Sequence, residues 1–530
     1  MILLVLFGIS MALLFDPLWS LLAALGTSSG MLGPLLRWSS LELLLRSLLI
    51  AGVIGILSIF LAIPLARVLV SRLTRRGAVL AAMLIAPIWL PSFMIYAAGN
   101  LMRAPDTLIG SALIEFSTSS PDRRWVTIWA GYLISVLGLA LWSTPLSAVL
   151  IASGMGNRSD LYDRMLALEP IGRLQRGWTL MMIHRRALVR AWVLVSVMML
   201  GSAVPLHLAQ LDTWSIVIWR QLSERAPEQW GSVWVSAMPM LLIALLGARV
   251  LSRSLRRTDE QIDPGYESAR ATRTTWVLSL LVWGLAVLLP MISMLISLRD
   301  WRSIPNFWHE QYHAVFDSGL LAIGSGALAT LIALLTALVL SSPDRAAQIL
   351  GRVSLLIFCT LGLMPGVLVG ASVARHGVLG WHQPWMSAFW SSSIRVAFIG
   401  AIIGALCAGC ETRDRRSARL QMCGSSALGW FRTVLPSVAI PLLATWPIAS
   451  LMSLFEIEAS VMVRPPGMEN LPQQLLSDLH YARLERLSAA GINLLLLGML
   501  GAMLGSWMLL VLGKKRRVGN HAEQDGYTIV

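Results

Sequence analysis

Apolar stretches of about 20 residues recur from one end of this 530-residue chain to the other. A helix of that length crosses the roughly 30 Å hydrocarbon core of a bilayer. In hydrocarbon every backbone N–H and C=O must find its partner inside the protein, and a helix meets that demand within one segment. The fold class expected is therefore an all-α membrane protein. Only 13% of residues are charged, 56% are hydrophobic and the mean hydropathy is +0.69, about half the charge of a soluble domain. A soluble enzyme with one anchor is excluded.

Twelve spans are expected. The first six are Ile2 to Leu25, Leu41 to Val70, Ala78 to Met102, Trp125 to Ala152, Leu188 to Leu208 and Val233 to Leu251. The second six are Thr275 to Leu298, Leu320 to Leu340, Leu350 to Ala374, Phe389 to Cys410, Val438 to Leu454 and Ala489 to Leu512. The first is read as a retained span, weakened by Asp16-Pro17.

The net charge is 42 − 28 = +14, but the cations alternate with apolar spans instead of forming one patch, so they read as topology signals and not as a nucleic-acid surface. With the N-terminus inside, the inside segments carry Arg72, Arg75 and Arg76; Arg158 to Arg190; Arg249 to Arg273; Arg345 and Arg352; Arg413 to Arg432; and Lys514 to Arg517. The opposite loops have mixed charge, such as Asp212, Arg220 and Glu224. Both termini are thus expected in the cytoplasm. Tryptophans near span ends fit interfacial belts. Cys407 and Cys410 form a lone C-x-x-C with no second pair, read as packing residues.

Leu41 to Gly99 reads as an apolar span ending in Pro64 and Arg67, a basic turn, and a span carrying Leu90-Pro91; Phe316 to Ser372 repeats the pattern with Met364-Pro365. The chain divides into a first unit (1–252), a polar linker (253–273), a second unit (274–513) and a tail (514–530), two six-span halves in tandem. Each half has a long basic inside segment, Ser159 to Arg190 and Glu411 to Pro436. In the later segment, Leu420, Cys423, Leu428, Phe431 and Leu435 recur at three to five residues, which suggests a short amphipathic helix, a bend at Gly429 and a Pro-initiated return to the membrane. Docking into a soluble partner and lying on lipid headgroups are equally compatible with that periodicity.

Three stretches resemble the permease subunits of binding-protein-dependent ABC importers, specifically fused two-copy permeases of the iron(III), thiamine and polyamine type. They are the repeat starts, with Pro64-Leu-Ala-Arg67, Leu90-Pro91 and Met364-Pro365; Trp430-Phe431-Arg432-Thr-Val-Leu435-Pro436; and Glu456-Ile-Glu458-Ala-Ser-Val-Met-Val-Arg464-Pro465-Pro466-Gly467. The stretch from Trp430 to Pro436 is similar to the end of the family's cytoplasmic E-A-A loop. The stretch from Glu456 to Gly467 resembles an outside segment of the iron(III) branch. The resemblance implies a solute path in the inner membrane of a bacterium, a separate ATPase in two copies that uses the ATP, and an extracytoplasmic binding protein.

In the later half the E-A-A positions fall on Ser417, Ala418 and Arg419, and the Gly position on Cys423, with Gly424 one residue late; in the earlier half they fall on Asp163, Arg164 and Met165, the Gly position on Glu169 and the L-P on Met181 and Met182. By resemblance, Asp163, Leu168, Glu169, Cys423, Gly424, Trp430, Phe431, Arg432, Leu435 and Pro436 would meet the ATPase. Glu456, Glu458 and Arg464 to Gly467 would face the substrate or its binding protein; ordinary hydration at a loop edge remains the alternative for the two glutamates.

Arg46 and Arg395 lie near span starts, where snorkelling is expected. His376, His382 and His480 are too scattered for a metal site. No G-x-x-x-x-G-K-[ST] occurs, so no ATPase site, catalysis or cofactor is expected in this chain. Two other readings stay open: a twelve-span secondary carrier, and a degenerate permease homologue acting as a scaffold. A charged residue near the middle of the bilayer would favour the carrier.

Overall fold

The computed structural model describes residues 2–27, 38–71, 75–103, 105, 107–123, 125–155, 162, 165–166, 168–225, 229–255, 271–376, 384–411, 413–424, 426–463, 468–501 and 503. Those residues form helices and connections, with no strand among them. The first group of helices comprises α1 (Ile2–Thr27), α2 (Trp38–Val70), α3 (Arg75–Met83), α4 (Ser92–Leu101), α5 (Leu108–Thr118), α6 (Trp125–Met155), α7 (Arg173–Ile183), α8 (Arg185–Gly201), α9 (Val204–Leu208), α10 (Trp214–Glu224) and α11 (Trp230–Leu255). The other group comprises α12 (Arg273–Ser297), α13 (Ser303–Glu310), α14 (Tyr312–Leu340), α15 (Arg345–Leu363), α16 (Gly366–His376), α17 (Pro384–Gly409), α18 (Arg413–Cys423), α19 (Ala427–Thr433), α20 (Leu435–Leu454), α21 (Glu458–Val463), α22 (Leu471–His480) and α23 (Leu484–Gly501).

Among the described residues ten helices are long and apolar enough to cross a membrane, and eleven if the bent pair α3–α4 is one span. The expected twelve fall to ten because the third and fifth stretches are broken, whereas the break in the ninth leaves Arg345–Leu363 long enough to span. Pro91 has no N–H to continue a helix, and the chain bends by 84° there. The expected fifth span ends early, at Gly201, leaving a 17-residue α8 of about 25 Å before Ser202-Ala203 and the short α9. Leu350 to Ala374 is two helices, parted at Met364-Pro365. Asp16-Pro17, by contrast, does not interrupt α1: Pro17 sits inside one continuous helix, and Asp16 is buried.

Packing follows a matched plan in the two groups. α2 lies against α6 and α8, and α14 lies against α17 and α20. Close approach depends on small residues, as is usual where helices associate without a hydrophobic drive. Gly400 and Gly404 of α17 leave room for the carbonyls of Ala329 and Ala333 on α14, where a Cβ would collide. The first helices cross over: α1 packs against α11 of its own group and also against α14, α15 and α16, while α12 packs against α2 and α4. α11 against α15 completes the junction.

Three interhelical hydrogen bonds recur in corresponding places. Trp192 Nε1 donates to the Gly52 carbonyl at 3.2 Å and Trp446 Nε1 to that of Ile323 at 3.1 Å (446 − 192 = 254; 323 − 52 = 271). The Trp214 amide donates to Ser47 Oγ and the Leu471 amide to Ser318 Oγ, both at 2.9 Å (471 − 214 = 257; 318 − 47 = 271). The third pair lies at the helix breaks described next.

Candidate functional site

Four chain breaks meet where the two groups touch. They are Leu90-Pro91 before α4, Met364-Pro365 before α16, Ser202-Ala203 before α9, and Phe455-Glu456-Ile457 before α21. A cavity of about 80 Å³ is lined by residues at three of these breaks, including Ser92, Ser202, Glu456 and Glu458, together with Trp142 and Arg395. Non-helical backbone at membrane depth is tolerated only where protein or a cavity surrounds it, because freed carbonyls need donors. Trp142 Nε1 donates to the Leu90 carbonyl at 2.8 Å, and Arg395 Nη1 to the Met364 carbonyl at 2.6 Å (395 − 142 = 253; 364 − 90 = 274). Each side chain thus satisfies a carbonyl left open at its break, because the amide four residues on, Met94 or Leu368, donates instead to the carbonyl of Pro91 or Pro365. Trp142→Phe removes that donor, and an unfolding midpoint lowered by the equivalent of about 1–3 kcal/mol is expected in detergent. An unchanged midpoint would show that the Leu90 carbonyl finds another donor.

Arg395 does not snorkel. It lies eleven residues into the 26-residue α17 (395 − 384 = 11), about 16 Å from its start. Its side chain is 16% exposed and Nε meets Glu456 Oε2 at 3.2 Å, while Nη1 also reaches the Gly362 carbonyl at 3.0 Å. Glu456 Oε1 accepts from the Ala459 amide at 3.0 Å. Glu458 is 7% exposed, and its Oε1 accepts from the Ala203 amide of the first group at 2.6 Å. Neither glutamate is hydrated at a loop edge: both belong to a buried charged cluster joining the two groups. Gly366, the first residue of α16, lies against both carboxylates, and a Cβ there would stand 2.8 Å from Glu456 Oε1. Arg46, the other candidate for snorkelling, is exposed.

The basic segment between α17 and α20 is two helices. The turn between them is at Gly424, not at Gly429. Gly424 has φ +60°, a left-handed conformation that glycine adopts without strain, and its amide caps α18 through the Leu420 carbonyl at 3.1 Å. Gly429 lies inside α19, where Ser426 Oγ accepts from its amide at 3.1 Å. α20 then starts at Leu435 with Pro436 in its first turn, as expected. α18 is fastened to the α14–α15 turn by Arg419, which forms a fork with Glu411 (2.7 and 3.1 Å) and donates to the Ser341 carbonyl at 3.1 Å. Both partners are almost wholly buried, at 3% and 2% exposed.

Trp430 is not on the docking face: it is 2% exposed, packed with Val434, Val438, Leu338 and Cys407. Phe431 and Leu435 are half-buried, whereas Cys423, Gly424, Arg432 and Pro436 are exposed. Apolar side chains presented to the exterior include Met422 and Leu428, at 84% and 60% exposed, and on the first segment Leu168 and Leu174, at 88% and 92%. Glu169 is exposed beside Leu168. Asp163, Arg464, Pro465, Pro466 and Gly467 lie outside the described residues.

The pairing of Arg395 with Glu456 and Glu458, and of Glu411 with Arg419, was missed in the sequence. The one available signal was charge inside or beside apolar stretches. No protein family, curated protein or solved structure matches this chain.

Proposed function

We propose that the chain is the membrane-spanning permease subunit of an ABC importer in a bacterial inner membrane. Its two halves, 1–252 and 274–513, are tandem six-span copies joined by 253–273, with the tail 514–530 and both termini in the cytoplasm. The observation that carries a transport reading is the meeting of four broken helices at the junction of the halves, three of them lining a charged cavity. Discontinuous helices at a repeat interface are how transporters build sites at mid-membrane depth. Tandem copies are supported by the three recurrent hydrogen bonds and by the crossing over of α1 and α12.

Coupling to a separate ATPase, in two copies, is supported by the clamped α18–α19 pair and by Met422, Leu428, Leu168 and Leu174, which present apolar surface on basic segments. A small solute, iron(III) in the first place or else thiamine or a polyamine, would arrive from a binding protein on the opposite face. The test is affinity purification of the tagged chain from mild detergent beside a Leu428→Asp/Arg432→Glu variant, which changes exposed positions and spares the Trp430 core. A P-loop ATPase retained by the native chain and reduced at least tenfold in the variant is the expected result. Its absence from both would sink the importer reading.

Another reading is favoured by one observation, the Arg395–Glu456–Glu458 cluster near the middle of the span. Charge at that depth is costly and suits an ion-coupled carrier. Solute uptake by proteoliposomes holding this chain alone, driven by a proton gradient, would select it; neither ATPase capture nor uptake would leave the scaffold.

A further inference from the structure

We infer that Glu458 is a proton-binding site at the junction of the two halves, neutral in the closed arrangement and ionised when the cavity opens to water. The cluster holds two carboxylates and one guanidinium. Arg395 and Glu456 use each other, and their remaining groups go to the carbonyls of Gly362 and Met364 and the amide of Ala459. One negative charge is left over, on a residue that is 7% exposed. Its Oε1 has the Ala203 amide; its Oε2 makes no hydrogen bond of normal geometry, although the Ser202 hydroxyl lies beside this carboxyl.

Among the described residues, the groups packed around Glu458 are the neutral Ser202 and Ala203 from the α8–α9 link, Gly366 from α16, Arg395 from α17 and Glu456 from its own link. The favourable positive groups are Arg395 and the N-terminal end of α16, and both are shared with Glu456. An unpaired carboxylate buried beside another carboxylate takes a proton, because burial and like charge both disfavour ionisation. With that proton the cluster sums to zero.

Water entering between the halves restores the ordinary acidity of Glu458, so opening releases the proton. Acid therefore favours the closed form, and each unit of pH shifts the closed-to-open ratio by up to about tenfold in the range between the two affinities. Only this consequence rests on reading the junction as moving; the protonation itself requires neither substrate nor ATPase.

The test is infrared difference spectroscopy of the full chain in detergent, titrated from acid to alkaline pH. A carboxylic-acid carbonyl band that fades as pH rises and shifts in D2O is expected, and Glu458→Gln, which keeps the acceptor for Ala203, removes it. Asp16, a buried carboxyl in α1 with both oxygens unpartnered, supplies its own band, identified by Asp16→Asn. In Glu456→Gln the freed Arg395 serves Glu458, and the Glu458 band moves to lower pH. If Glu458→Gln does not fold, 13C-labelled glutamate in the native chain shifts the same band. No band assignable to Glu458 would overturn the inference. Thermal stabilisation by sodium over choline in the native chain but not in Glu458→Gln, without such a band, would replace the proton with a monovalent cation.

Discussion

Arg395→Leu is expected to lower stability by about 3–5 kcal/mol, the usual result of removing one partner from a buried ion pair. The reasons are local. The substitution leaves the Glu456 carboxylate unneutralised and strips the Gly362 and Met364 carbonyls of their donor at a break where the helix ladder cannot supply another. The measurement is the unfolding midpoint of purified protein in detergent, together with its elution as a single species. The double variant Arg395→Leu/Glu456→Leu is expected to recover part of the loss, because removing both charges avoids the stranded one. A single variant as stable as the native chain would show that the cluster is not closed as described.

Glu411→Leu should act at the other end of the molecule with a comparable loss, again about 3–5 kcal/mol, because it strands the guanidinium of Arg419. Here the consequence is expected to be confined to the α18–α19 pair. Arg419 and Arg416 hold α18 to the carbonyls of Ser341 and Ser342, and Arg419 is also paired with the Glu411 carboxylate. Faster trypsin cleavage between 413 and 432, with the rest of the chain intact, is the expected pattern, along with loss of any captured ATPase. Adding Arg419→Leu should restore protection. Unaltered cleavage in Glu411→Leu would mean that α18 is held by the α14–α15 turn without the pair.

Much of the fold was legible because hydropathy is local and additive: a stretch such as Leu41 to Val70 needs no neighbour to be recognised as a span. Breaks were partly legible. Pro91 and Pro365 mark theirs, but nothing short-range distinguishes them from Pro17, which a continuous helix accommodates. The candidate site was legible in composition and not in arrangement. Glu456 and Glu458 stood out as charges beside a span, yet their burial depends on Arg395, 61 residues away, and on the Ala203 amide, 255 residues away. Trp430 reads as an exposed aromatic of a docking segment until α14 and α20 are seen to close around it.

The chain's order of apolar and basic segments determined, without reference to any neighbour, that this is a multi-pass helical membrane protein; transfer of side chains into hydrocarbon is settled residue by residue. What only the tertiary structure decided is which charges face each other. A buried charge is stable through partners that sequence distance does not order, so Arg395 became a buried clamp instead of a snorkelling side chain, and Glu458 the surplus acid between two groups of helices.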